Sequence, residues 1–241
     1  MHAKTNDSRL PGFYNLSLEQ RQALLAQSAD LTADELAALT GAAGLNAEQA
    51  DHMVENAIGL HALPLGLGLN FIVNGRPVLV PMAIEEPSVV AGASFMARLA
   101  RAGGGFIAHT TEPLMIGQMQ LLHVAEPYTA RLAILEHKSR LLETAADIDP
   151  VLQRLGGGPR DLEVHIIENS PIGTFLVIHL IYDVRDAMGA NAVNTACERL
   201  APQIEALTGG RMHLRILSNL ADRRLARVRC TIPLPELAFG D

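Results

Sequence analysis

The feature that most constrains this chain is the order of apolar patterns between residues 113 and 218. A strand-like run (115–124) is followed by an amphipathic helical run (128–146), in which Leu132, Leu135, Leu141 and Leu142 stand among charges. Two strand-like runs follow, 162–167 and 174–184, separated by the turn Ser170-Pro171-Ile172-Gly173. A second helical run (191–207) ends at Gly209-Gly210, and a last strand-like run covers 212–218. The order β-α-β-β-α-β is the split βαβ pattern of a ferredoxin-like unit. It predicts an α+β chain in which this block is a second domain inserted into a first.

The flanking segments read differently. Ser17-Leu-Glu-Gln20, Thr32-Ala-Asp-Glu35 and Asn46-Ala-Glu-Gln49 each place a capping side chain three residues before Glu or Gln. That spacing predicts three short helices, each opened by a capping box or its Asn variant. Runs 69–73 and 77–82 flank Asn74-Gly75, which suits a hairpin turn needing positive φ. Pro87 fits the first position of a helix over 88–101. That run is apolar nearly all round, which predicts central burial, and Gly103-Gly104-Gly105 stops it. Leu225, Arg227 and Arg229 alternate with Ala226, Val228 and Cys230 as one more strand. The expected boundaries are 1–111 for the first part of a large domain, 112–219 for the inserted domain, and 220–241 for the return into the large domain.

Composition narrows the partners. The net charge is −7 and no Lys/Arg block is long enough to follow a phosphate backbone, which argues against nucleic acid. No apolar run reaches membrane-spanning length, and the first twelve residues carry no apolar signal core, so no membrane partner and a cytoplasmic location are expected. Cys197 and Cys230 are far apart and lack metal-ligand spacing, which argues against a disulfide framework or a zinc site and fits a reducing compartment. No metal is expected.

Three places can carry chemistry. Glu85-Glu86 precedes the helix at 88–101, where the helix N-terminus favours an ionised carboxylate and an apolar pocket would favour a protonated one. A poised carboxylate there can be a general acid, but a Glu before a helix is more commonly a cap. Asp186-Ala-Met-Gly-Ala-Asn191 leaves a strand and opens a helix, so free amides could hold a pyrophosphate, or the segment could be an ordinary turn. Asp149 follows the amphipathic helix and could face an adenosine ribose or simply end the helix in solvent. Asp147 could take the same role. His165 and His179 lie in expected strands and read as packing or surface residues rather than ligands; Arg223 and Arg224 sit in a turn-like stretch and read as a solvated face rather than partners of a CoA phosphate.

The segments ENAIG (55–59), EEPSVVA (85–91) and DVRDAMGANAVNT (183–195) together resemble class II, soluble bacterial hydroxymethylglutaryl-CoA reductases, in the family's order. SRLPGF (8–13), NGR (74–76), VLVPM (78–82), LARAGGGF (99–106), LGGG (155–158) and LRILSNLADRRLAR (214–227) extend the likeness over nearly the whole chain. The resemblance implies an oxidoreductase interconverting hydroxymethylglutaryl-CoA and mevalonate plus CoA with two equivalents of nicotinamide cofactor. By resemblance Glu86 is the catalytic glutamate. Glu55, Asn56, Ser88 and Asn219 lie on the substrate side. Asp186, Met188, Gly189, Ala190 and Asn191 form the cofactor loop. Asp149 matches the acid of NAD-preferring members, which implies NAD rather than NADP and fits members running in the mevalonate-degrading direction. Homo-oligomers with active sites between subunits are also implied. The family's catalytic lysine, second catalytic acid and carboxy-terminal histidine have no counterpart here, and no lysine follows Lys138. The chain is therefore expected to be an amino-terminal portion, inactive alone; the alternative is a non-catalytic dinucleotide- or CoA-binding remnant or interaction module.

Overall fold

The computed structural model describes residues 7–41 and 44–238; the amino-terminal residues read above for a signal segment lie partly outside them. The chain forms two compact units, Met1–Ala108 with Val228–Asp241, and His109–Arg227.

The first unit opens with α1 (Leu18–Ala29), α2 (Ala33–Leu39) and α3 (Ala47–Met53), each starting in a closed capping box. At α3 the Gln49 amide donates to Asn46 Oδ1 at 2.8 Å and the Asn46 amide donates to Gln49 Oε1 at 3.0 Å. Strands β1 (Leu65–Val73) and β2 (Arg76–Ala83) form the expected hairpin. Asn74 and Gly75 both take positive φ, 51° and 78°, the requirement of a tight two-residue turn that matches strand twist. β1 starts four residues earlier than its apolar pattern, in a glycine-rich stretch. A Cβ on Gly66 would lie 2.9 Å from Val90 Cγ2 of the next helix, so a bare backbone there lets helix and strand approach. That helix, α4 (Pro87–Ala102), begins with Pro87 as expected.

Central burial of α4 is corrected. Only Ala97, Leu99 and Ala100 are buried, and most residues from Pro87 to Gly92 are exposed. Residues of its inner side pack on β1, and its carboxy-terminal end meets the 231–237 segment, while its first two turns stay largely exposed. β3 (Phe106–Thr110) lies parallel to β1, and β8 (Ala226–Cys230) completes a sheet of order β2-β1-β3-β8.

The second unit runs β4 (Leu114–Leu122), α5 (Pro127–Glu136), α6 (Lys138–Ala146), α7 (Pro150–Arg154), β5 (Gly158–Ile167), β6 (Phe175–Asp183), α8 (Ala190–Thr208) and β7 (Arg211–Leu217). All pairings in its sheet are antiparallel, in the order β5-β6-β4-β7. This is the ferredoxin-like arrangement that the pattern predicts. One expected helix is two: His137 breaks it at φ −98°, ψ 8°, and its Nδ1 lies 2.9 Å from the Ala133 carbonyl oxygen.

The large apolar core belongs to this unit. Met119, Leu121, Ile134, Leu176, Ile178, Leu180, Val193, Leu200 and Ile204 interlock between sheet and helices. Gly117 of β4 marks the closest approach of α8, because a Cβ there would meet Cys197 Sγ at 2.5 Å. The first unit buries only Ala50, Ala97, Leu99 and Ala100 among its described apolar residues, so the second unit holds most of the hydrophobic stabilisation.

Candidate functional site

In the first unit, the chain leaves β2 and turns into α4 at Glu86, which is extended (φ −88°, ψ 122°) and caps the helix. Pro87 has no N–H, so Ser88 is the first donor. The Glu86 carboxylate accepts from the Ser88 amide at 3.0 Å and from the Ser88 hydroxyl at 2.6 Å. Two residues with proposed roles are thus joined directly, and the glutamate is also the cap that the plainer reading expected. Both are exposed. Glu55 and Asn56 lie in an exposed turn after α3, with Asn56 left-handed at φ 57°. The segment they open returns beside β2, where the Ile84 amide donates to the Pro64 carbonyl.

In the second unit, β6 ends at Asp183, which is fully buried. Arg160 and Arg185 each donate to its Oδ2 at 2.7 Å, and the Arg185 amide donates to Oδ1 at 3.0 Å. Both guanidiniums also donate to the Gly156 carbonyl, which fastens the glycine loop to the turn after β6. A buried carboxylate removed from water requires such partners.

The turn then passes Asp186 and Met188, both exposed, and reaches Gly189 at φ 92°. A Cβ on Gly189 would stand 2.3 Å from Val184 Cγ1 and 2.8 Å from Val184 Cβ, so only glycine fits. Gly189 is the N-cap of α8 and offers no side-chain acceptor, which leaves the helix's first amides, beginning at Ala190 and Asn191, for an outside anion.

Arg224 straps this turn, donating to the Ala187 carbonyl at 2.9 Å and to the Arg185 carbonyl at 3.2 Å. Arg223 grips Glu163 through two bonds, Nη1 to Oε1 at 2.8 Å and Nη2 to Oε2 at 3.0 Å. That pairing holds the Glu163 carboxyl below its ordinary range and raises the guanidinium above its own. The two arginines do lie in a turn with Arg224 exposed, as read from the sequence, but both guanidiniums are tethered there. The adjacent basic pair is the only sequence signal of their role, since both partners lie far away in the chain. Exposed Asn219 belongs to the same segment.

Asp149 is half-buried and accepts the Leu152 amide at 2.9 Å, opening α7, whereas Asp147 is exposed at the end of α6. Tyr182 lies fully buried; its hydroxyl has no partner among the described residues, and burial, with the Asp149 charge second, raises its pKa.

A family model described as Hydroxymethylglutaryl-coenzyme A reductase matches residues 17–239. The chain belongs to this family. It is 50% identical over 222 residues to 3-hydroxy-3-methylglutaryl-coenzyme A reductase of Archaeoglobus fulgidus, covering 92% of this chain and 50% of that relative. It is 29% identical over 197 residues to a probable 3-hydroxy-3-methylglutaryl-coenzyme A reductase of Borreliella burgdorferi, covering 78% and 42%. The chain thus spans about half the length of the curated relatives it matches. Among solved structures, the class II 3-hydroxy-3-methylglutaryl-CoA reductase of Streptococcus pneumoniae bound to NADPH in open conformations superposes with a TM-score of 0.89 at 38% identity, covering 95% of this chain and 61% of that one. No helix among the described residues is long and apolar enough to cross a membrane.

Proposed function

We propose that this chain supplies the dinucleotide-binding unit and the glutamate-bearing part of a hydroxymethylglutaryl-CoA reductase, which interconverts hydroxymethylglutaryl-CoA and mevalonate plus CoA. The observation that carries the reading is the start of α8: a glycine-only turn, strapped by Arg224, that presents helix amides without a side-chain cap. These residues fit a nicotinamide dinucleotide, whose pyrophosphate is the kind of anion a helix N-terminus accepts. When bound, that cofactor supplies the hydride.

The chain's own residues do the rest. The amides following Gly189 hold the pyrophosphate, with Asp186, Met188, Ala190 and Asn191 shaping the loop around it. Asp149 accepts hydrogen bonds from the adenosine ribose and repels a 2′-phosphate, which favours NAD over NADP. Glu86 passes a proton at the oxygen of the reacting carbonyl, and the Ser88 hydroxyl holds its carboxylate in place. Glu55, Asn56 and Asn219 contact the substrate. A cation, as the family's lysine supplies, is one strong way to stabilise the developing oxyanion. Among the described residues no lysine or arginine pairs with Glu86, and a homo-oligomer with active sites between subunits, as the family resemblance implies, would complete the site.

Calorimetric titration of the 241-residue chain with NADH and NADPH tests the proposal. Saturable binding of one dinucleotide per chain, tighter for NADH, is expected. Absence of saturable binding by both would reject it.

A further inference from the structure

The two histidines that read as surface or packing residues share one face of the second unit's sheet. Leu162, Val164, Ile178 and Leu180 point into the core, so the alternating residues Glu163, His165 and His179 project from the opposite face. Glu163 pairs in register with His179, and His165 is two residues along the same strand. One ligand atom from each lies within 4.8 Å of the others. His165 Nε2 is 3.5 Å from Glu163 Oε2, and the two imidazole centroids are 4.8 Å apart, tilted by 59°.

Four-coordinate zinc, with metal–nitrogen and metal–oxygen distances near 2.0–2.2 Å, requires ligand atoms roughly 3.3 Å from one another. The cluster is therefore close to closing round an ion through side-chain rotation alone. His165 is exposed, which leaves water an approach to a fourth position. The Arg223 fork fixes the plane of the Glu163 carboxylate, as partners of ligating carboxylates commonly do. Its positive charge also opposes an incoming cation, so affinity falls short of that of a closed structural site.

We propose that Glu163, His165 and His179 form a binding site for a borderline divalent transition metal, Zn2+ foremost, on the outer face of this sheet. Two imidazoles and one carboxylate suit zinc or cobalt, whereas Mg2+ and Ca2+ prefer all-oxygen shells. Glu163 anchors Arg223, and the neighbouring Arg224 straps the turn at Arg185–Ala187, so the ion sits on the tether of the dinucleotide loop. The site itself does not depend on what that loop binds.

The test is calorimetric titration of the tag-free 241-residue chain with Zn2+ and separately with Mg2+, repeated for His165→Gln and His179→Gln. Cobalt absorption reports the coordination geometry. One Zn2+ site per chain, no Mg2+ site, a visible Co2+ ligand-field band, and at least about tenfold weaker Zn2+ binding in each variant are expected. Zn2+ affinity within about twofold of wild type in His165→Gln, or no saturable Zn2+ binding by the wild type, would overturn the proposal. His165 is exposed and outside the core, so that variant decides the matter even where His179→Gln fails to fold.

Discussion

Replacing Gly189 by alanine tests the turn that begins α8. Two costs combine at this position. An L-residue held at φ 92° is strained, by about 1–2 kcal/mol on the scale of left-handed backbone. The new methyl also lands 2.3 Å from Val184 Cγ1 and 2.8 Å from Val184 Cβ, both on a stiff, fully buried side chain. Overpacking of that kind costs about 1–3 kcal/mol. Together they predict a loss of about 2–5 kcal/mol, a drop in melting temperature on the order of 10 °C for a unit of this size. Relief requires the turn to move, and α8's first amides move with it, so NADH affinity falls as well. The assay is thermal unfolding with an NADH titration, on wild type, Gly189→Ala, Val184→Ala and the double variant. Val184→Ala removes both γ-carbons, so most of the overpacking should vanish in the double variant while the backbone strain stays. The predicted coupling between the two substitutions is about 1–3 kcal/mol in the compensating direction. A Gly189→Ala protein that melts with the wild type and binds NADH equally well would refute the reasoning.

Other consequences follow from the same geometry. Glu86→Gln, in a full-length homologous context, should lower kcat sharply while leaving NADH affinity nearly unchanged, since the amide keeps shape but cannot pass a proton; steady-state kinetics beside a binding titration measure both. Asp149→Lys should shift preference from NADH toward NADPH by roughly ten- to a hundredfold, read from paired titrations, because a like-charge clash becomes an attraction. Asp147→Lys should not, as Asp147 is exposed at the end of α6. Burial pushes the Cys197 thiol up to about 12, whereas Cys230 is exposed, so iodoacetamide at neutral pH should label one cysteine in the native chain and two after denaturation, counted by mass spectrometry.

What could be read in the sequence were the features governed by near neighbours. The three capping boxes close between residues three apart, and Asn74-Gly75 makes its turn through its own backbone. The βαββαβ order was legible because Leu176, Ile178 and Leu180 keep strand periodicity while Val193, Ala196, Leu200 and Ile204 keep helical periodicity. Features set by distant partners were not. β1 extends back through glycines that read as loop, since what they accommodate is Val90 of α4. The break at His137 depends on a side chain turning back to a carbonyl in the preceding turn. Apolar composition alone predicted a buried α4, but burial needs a covering surface, and the first two turns of this helix are largely exposed among the described residues. At the candidate site, the glutamate-to-serine step and the glycine turn were local and visible. The arginine tethers, spanning 60 residues from Arg223 to Glu163 and 37 from Arg224 to Ala187, were not.

The most direct test of the central claim is to locate the dinucleotide on the chain. In amide-resolved NMR of the 15N-labelled protein titrated with NADH, the largest shifts should fall on Gly189, Ala190 and Asn191 at the start of α8. Asp149 and Leu152 should follow, and β8 and the first-unit helices should stay still. Saturable NADH binding whose shifts avoid the α8 start, or no saturable shift anywhere, would contradict the account.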